Sequence, residues 1–337
     1  MQKSAPLTTL AERAARAHRE AIIWDNHVCL PLRPPGQWLD CLSRHRAAGA
    51  TFISLNLGDA KVPLELMIRM AAHFRAWIGQ HSDEYVMAGT AADVRLAKAQ
   101  GRTAVAFDIE GLRAIGEQTS MIELLYVLGV RWMLFVYNRA NLAGSGCHDP
   151  EDGGLTALGR RMLAEFERVG MVPCCSHTGH RTARDILEHA AGPVIFSHSN
   201  ARALQEHPRN IADDLIKACA ATGGVVGING LSIFLGRSDD MLGRFVAHID
   251  HVAQLVGPRH VGIGLDYVYD QQALNDDLAA SDDIWPPGFG YGPDVAFLAP
   301  ENLPRITEAL LRRGYASSDV EGILGGNFLR VATEVWK

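Results

Sequence analysis

Several apolar stretches of this chain end in residues that together make up the ligand set of a metal hydrolase. The first leads into Asp25-Asn26-His27-Val28-Cys29. FDIEG carries Glu110, FVYN carries Tyr137 and Asn138, CCSHTG carries His177, FSHSN carries His198, and GIGLDY carries Asp266. Neutral imidazole and carboxylate are the donors that zinc and related transition metals take in hydrolases. One carboxylate can bridge two ions, and another can accept the proton of a metal-activated water. A single histidine at a strand end is more often a hydrogen-bonded structural residue, so the weight rests on the set. His177 and His198 have the same local form, Ser-His followed by Thr or Ser. Neighbouring parallel strands lie about 4.8 Å apart, so two such side chains can share one ion.

Strands are expected at 22–25, 52–57, 104–110, 132–137, 171–176, 194–197, 225–229 and 261–265. They read as continuous apolar runs, which suggests a parallel sheet covered on both faces. Helical segments lie between them. Pro63 opens LELMIRMAAHFRAWI, Thr90 caps AADVRLAKAQ before Gly101, and Thr156 caps ALGRRMLAEFERV before Gly170. Further helices are expected at 182–190, 211–222 and 239–256. Eight strands alternating with helices give an α/β (β/α)8 TIM barrel, whose chemistry sits at the carboxyl ends of its strands. A doubly wound open sheet ranks second, because no glycine-rich phosphate loop follows the first strand. At roughly 150 residues per domain the length suggests two domains, yet barrels exceed ~250 residues as one unit, so residues 1–337 are read as one barrel domain. The segment 270–300, with DD, PP and GFGYG, is expected as a long loop over the barrel mouth.

Composition excludes other classes. Hydrophobic residues make up 47% and charged residues 21% of the chain, which is ordinary for a globular protein. A net charge of −6 leaves no electrostatic footprint for nucleic acid or an anionic membrane. No run of about 18 apolar residues is present to span a bilayer. The first 21 residues have no apolar signal-peptide core, and VATEVWK at the end has no anchor tail. Six cysteines are too few for a disulfide scaffold. These features point to a cytoplasmic protein, and a homo-oligomer stays open.

These motifs, in this order, resemble the renal or membrane dipeptidase family (metallopeptidase family M19, amidohydrolase superfamily). The resemblance covers most of the chain. It rests on DNHVCLP, FDIEG, GGLTALGRRMLAEFERVGM, CCSHTG, PVIFSHSNARALQEHPRN, HVGIGLDY and GGNFLRVATEVW. It implies a (β/α)8 barrel with a binuclear zinc site. His27 would bind one metal, Glu110 would bridge two, and His177 with His198 would bind the second. Asp266 would be the acid/base carboxylate, and Arg209 would hold the substrate carboxylate, which its guanidinium fork matches.

Two positions depart from the family pattern. The family usually reads Asp-Gly-His-Asn-Asp in its first strand, with the last Asp a ligand; here that place is Cys29. Its thiolate can bind zinc, or it is a small buried residue that leaves the first site weak. Asp25 is expected behind the ligands, supporting them. The family's His at the end of the fourth strand is here Tyr137, which is read either as an oxyanion donor or as a pocket wall. The expected activity is a metal-dependent dipeptidase acting on dipeptides or closely related N-acyl amino acids by a metal-activated water, with one or two zinc ions and no organic cofactor. A hydrolase of another small amide or lactam, and a degenerate barrel that only binds a small carboxylate, are the alternatives. Cys147-His148-Asp149 is read as structural, His207 as bordering the pocket, His248 and His251 as a surface pair, and Trp132 as core.

Overall fold

The computed structural model describes residues 9–33 and 37–337. Residues 1–8, part of the stretch searched for a signal peptide, lie outside them. Among the described residues nine strands form in chain order: β1 (Trp24–Cys29), β2 (Phe52–Asp59), β3 (Tyr85–Met87), β4 (Thr103–Glu110), β5 (Val130–Leu134), β6 (Val172–Cys174), β7 (Val226–Ile228), β8 (Val261–Ile263) and β9 (Tyr267–Val268). The sheet order β6-β5-β4-β2-β1-β9 is parallel throughout. Bridges at Ile195 and Phe196 carry it from β6 to β7, and β7 pairs β8. Because β9 continues β8 and pairs β1, the ring closes into an eight-stave (β/α)8 barrel. β3 lies outside the expected set and pairs only the first half of β4. The expected strand 194–197 shrinks to two bridging residues.

Local chemistry sets the helices. Thr90 caps Ala91–Ala99 with a reciprocal bond to Asp93, and Thr156 caps Ala157–Val169, which Gly170 ends in the left-handed region. Pro63 sits just before Leu64–Gln80, as its cap. The segment 270–300 is not wholly loop: Asp270 caps a helix, Gln271–Ala280. No helix of the described residues is long and apolar enough to cross a membrane, and all six cysteines are free.

Alternate strand residues divide between two cores. Ile53, Leu55, Val105, Phe107, Ile109 and Met133 pack under the helices. Phe52, Ala104, Ala106, Trp132, Val172 and Ile195 fill the barrel, closed at its base by Trp24 and Phe328. The inward face turns polar toward the carboxyl ends, from Phe52 to Ser54 and Asn56, and from Ala104 to Asp108 and Glu110. Gly227 and Gly264 let the His198 segment close in, since a Cβ on either would overlap the Ser197 carbonyl oxygen.

Candidate active site

Three imidazoles converge on one carboxylate oxygen at the polar end of the barrel. Nε2 of His27, His177 and His198 lies 3.6, 3.3 and 3.3 Å from Glu110 Oε1. His177 Nε2 and His198 Nε2 are themselves 3.0 Å apart. The far nitrogens are already engaged. His27 Nδ1 faces Asp108 Oδ1 at 3.1 Å, His177 Nδ1 faces Asn138 Oδ1 at 2.7 Å, and His198 Nδ1 faces Ser197 Oγ at 2.8 Å. Asn138 donates its amide to the Ile284 carbonyl, so its oxygen is the atom turned to His177. His177 therefore carries its proton on Nδ1 and aims a bare Nε2 inward. Glu110 Oε1 is buried and accepts no hydrogen bond. A lone pair meeting another imidazole at 3.0 Å, beside an unsatisfied carboxylate oxygen, is a donor set that fits a divalent cation.

Electrostatics agree. Burial, then Arg209, takes His177 down to about 3, and burial with His27 nearby holds His198 well below the usual range. Burial also opposes charge on His27, but the Asp108 and Glu110 carboxylates outweigh it and raise its pKa well above normal. Burial would lift Glu110, yet His27 and the imidazole contacts hold it well down.

Asp266 and Cys29 stand on the His27 side. Asp266 Oδ1 is 3.4 Å from His27 Nε2. Cys29 Sγ is 3.4 Å from the same nitrogen and donates to Asp266 Oδ1 at 3.6 Å. Asn229 Nδ2 donates to Asp266 Oδ2 at 2.8 Å. Burial lifts Asp266 to about 6 against the pull of His27, and burial raises the Cys29 thiol far above its ordinary value. Asn138, His177 and Asp266 all have left-handed backbones, with φ of 55°, 64° and 56°. They are the non-glycine residues of the described chain with positive φ. Strain of this kind persists where surrounding packing fixes it, and here it turns strand-end side chains into the mouth.

Above the cluster lies a cavity of about 70 Å³. Its floor is Cys29, Glu110, Tyr137, His177 and Asp266, and its walls are apolar. Tyr137 stacks on His177 with centroids 4.3 Å apart, and burial keeps its phenol protonated. Arg209 is 2% exposed. It donates to the His198 carbonyl at 3.2 Å, lies 5.2 Å from the Phe234 ring, and leaves Nε without a partner.

His27, Cys29, Glu110, Tyr137, His177, His198 and Asp266 therefore lie together at one end of the barrel, whereas Arg209 touches the His198 carbonyl and lines a neighbouring groove with Cys147, Asp149 and His177, and several lesser readings change. Asp25 does not reach the cluster: it accepts from the Leu265 backbone at 2.8 Å and pairs with His45 at 3.0 Å, so it ties β1 to the last stave. His248 is not a surface residue; it is fully buried, accepting from the Ala201 backbone and facing the Leu235 carbonyl. His207 bonds the Phe289 carbonyl and the Arg209 backbone. His148 meets the Tyr291 hydroxyl at 2.7 Å. Trp132 is core and also packs 5.5 Å from the His27 ring. Asp108 and Asn229 were missed, although both could have been found. Asp108 shares the face of Glu110 by strand alternation, and Asn229 ends the β7 run as the other site residues end theirs.

The model of the family described as membrane dipeptidase (peptidase family M19) matches residues 46–280, which leaves His27 and Cys29 outside the match. Dipeptidase aclJ of Aspergillus oryzae is 31% identical over 288 residues, 82% of this chain and 61% of its own. The chain thus spans about three fifths of that relative's length. An uncharacterized protein in the pqqA 5′ region of Klebsiella pneumoniae is 30% identical over 286 residues, 82% of this chain and 98% of its own. The crystal structure of an amidohydrolase from Pseudomonas aeruginosa superposes with a TM-score of 0.87, covering 96% of this chain and 99% of that one, at 27% identity.

Proposed function

The chain belongs to the membrane dipeptidase family, peptidase family M19, and from that premise we propose that it is a metal-dependent dipeptidase acting on dipeptides or closely related N-acyl amino acids. The observation that carries the reading is the convergence of the His177 and His198 nitrogens on Glu110 Oε1, with Asp266 beside them. His177, His198 and Glu110 would hold one zinc ion, and Glu110, His27 and Cys29 a second. Bound there, zinc supplies the Lewis acidity that acidifies a water and polarises the scissile carbonyl. Asp266 takes the water proton and returns it to the leaving amine, and Asn229 fixes which carboxylate oxygen faces the reaction. Tyr137 donates its phenolic hydrogen to the developing oxyanion, a role that requires the protonated phenol that burial enforces. Arg209, a buried guanidinium whose Nε has no hydrogen-bond partner, is suited to the substrate's terminal carboxylate.

The test is hydrolysis of a dipeptide panel by metal-stripped and zinc-reloaded protein, with metal content measured in parallel. Zinc-dependent release of free amino acids is expected. Stoichiometric metal with no dipeptide cleaved, but turnover of a lactam or another small amide, would move the function to that class. Metal without turnover of any amide would leave a carboxylate-binding barrel.

A further inference from the structure

Building on the dipeptidase reading, we propose that the site selects substrates carrying one large apolar group, and that Trp285 is the residue that grades its size. The cavity's polar lining is confined to the floor, where each group belongs to the cluster or to Tyr137. The wall is carbon: Ile233, Phe234, Leu274, Leu278, Trp285 and Val295 line it, with the ring of Tyr291.

The two wall aromatics that own polar atoms have them tied down. Trp285 Nε1 donates to Asp277 Oδ2 at 3.2 Å, and Asp277 in turn pairs with Lys61. Tyr291 Oη meets His148 Nε2 at 2.7 Å. With those ends held, what each ring turns to the cavity is its apolar body. The rings also brace one another edge to face, Tyr137 against Trp285 at 5.6 Å and Trp285 against Tyr291 at 5.0 Å. Tyr137 lies on His177, so this wall begins at the reacting centre and runs outward.

The wall is built before substrate arrives. The segment that supplies it leaves the barrel after β9 and returns by backbone bonds: Ser232 donates to Ala296 and Leu298 to Gly230, each at 2.9 Å. Trp285 and Val295 are each 9% exposed and Leu278 8%. A small or polar substrate group here would forgo apolar contact or lose its water without replacement. A large apolar group displaces water from the part of the carbon wall that faces the cavity, and a preformed site keeps that gain.

Two dipeptide series, Xaa-Gly and Gly-Xaa with Xaa as Gly, Ala, Leu and Phe, test the selection. One series should rise at least about 100-fold in kcat/KM from Gly to Leu or Phe, since one methylene in an apolar pocket is worth about tenfold or more. In Trp285→Ala the Leu-to-Gly ratio should fall at least tenfold. Leu274→Asn, at a half-buried position, should lower the same ratio. Calorimetry with N-acetyl-leucine and N-acetyl-glycine provides a binding arm that needs no turnover. The leucine compound should bind zinc-loaded protein at least tenfold more tightly. Flat kcat/KM in both series, or equal affinity for the two acyl amino acids, overturns the selection while leaving the dipeptidase reading in place. Absence of any dipeptide cleavage defeats the dipeptidase reading alone, and the binding arm then decides the pocket.

Discussion

Removing the metal should destabilise the whole fold, and the size of the loss follows from the cluster. Glu110 Oε1 is buried without a donor, and the His177 and His198 nitrogens meet at 3.0 Å. An ion satisfies these groups only in the folded chain, since the unfolded chain holds them far apart. A ligand that binds only the native state adds RT ln(1 + [L]/Kd), about 4.1 kcal/mol at free zinc a thousandfold above Kd. Unfolding entropy near 60 °C is about 2.1 cal/mol/K per residue, so this 337-residue chain changes by about 0.7 kcal/mol per degree. The expected drop in Tm on stripping the protein is therefore about 6 °C. Differential scanning calorimetry of stripped and zinc-reloaded protein measures it. His198→Ala should cut the zinc-dependent shift to about 2 °C or less, because one of two close nitrogens is gone. A Tm indifferent to zinc in the wild-type protein, with no metal retained after dialysis, would refute the reasoning from lone-pair convergence.

Asp266→Asn should keep its metal and lose at least about 100-fold in kcat, the scale of a general acid–base group; a change in KM alone would reassign Asp266 to substrate binding. A dipeptide should exceed its C-terminal amide by about 2 kcal/mol in kcat/KM if Arg209 grips the carboxylate, and equal turnover of the two removes that role. Cys29→Ser should lower zinc stoichiometry by plasma emission analysis if sulfur is a ligand, and Cys29→Asp should restore or raise it; two metals in all three proteins would mean that another residue completes the site. Burial first, and nearby cations second, lower His148 to about 3. Burial likewise takes His207 and His248 to about 4. Between those values and about 6.5 only the unfolded chain binds the protons. Stability is thus full above 6.5 and lost as pH falls, so the urea midpoint of metal-free protein should drop between pH 7 and pH 5. An unchanged midpoint would show that these rings titrate freely in the folded state.

What the sequence determined by itself was the barrel and the strand ends that carry its chemistry. A strand's alternation and its stopping point are local properties, so His27, Glu110, His177, His198 and Asp266 could be named without knowing their distances. The same local rule reaches Asp108, two residues before Glu110, and Asn229, once the inward face is followed to the end of each stave. Tertiary structure decided the rest. That Asp25 braces the ring instead of the metal depends on His45 and on the Leu265 backbone, which lie elsewhere in the chain. That His248 is core depends on the residues packed around its helix, which helical spacing alone does not reveal. The left-handed turns at Asn138, His177 and Asp266 arise because closed packing at the mouth holds a costly backbone in place. Trp285 and Tyr291 belong to a segment that leaves the barrel and comes back. Where such a segment lands is set by long-range contacts at Gly230, Ser232 and His148, and no periodicity in the segment encodes them.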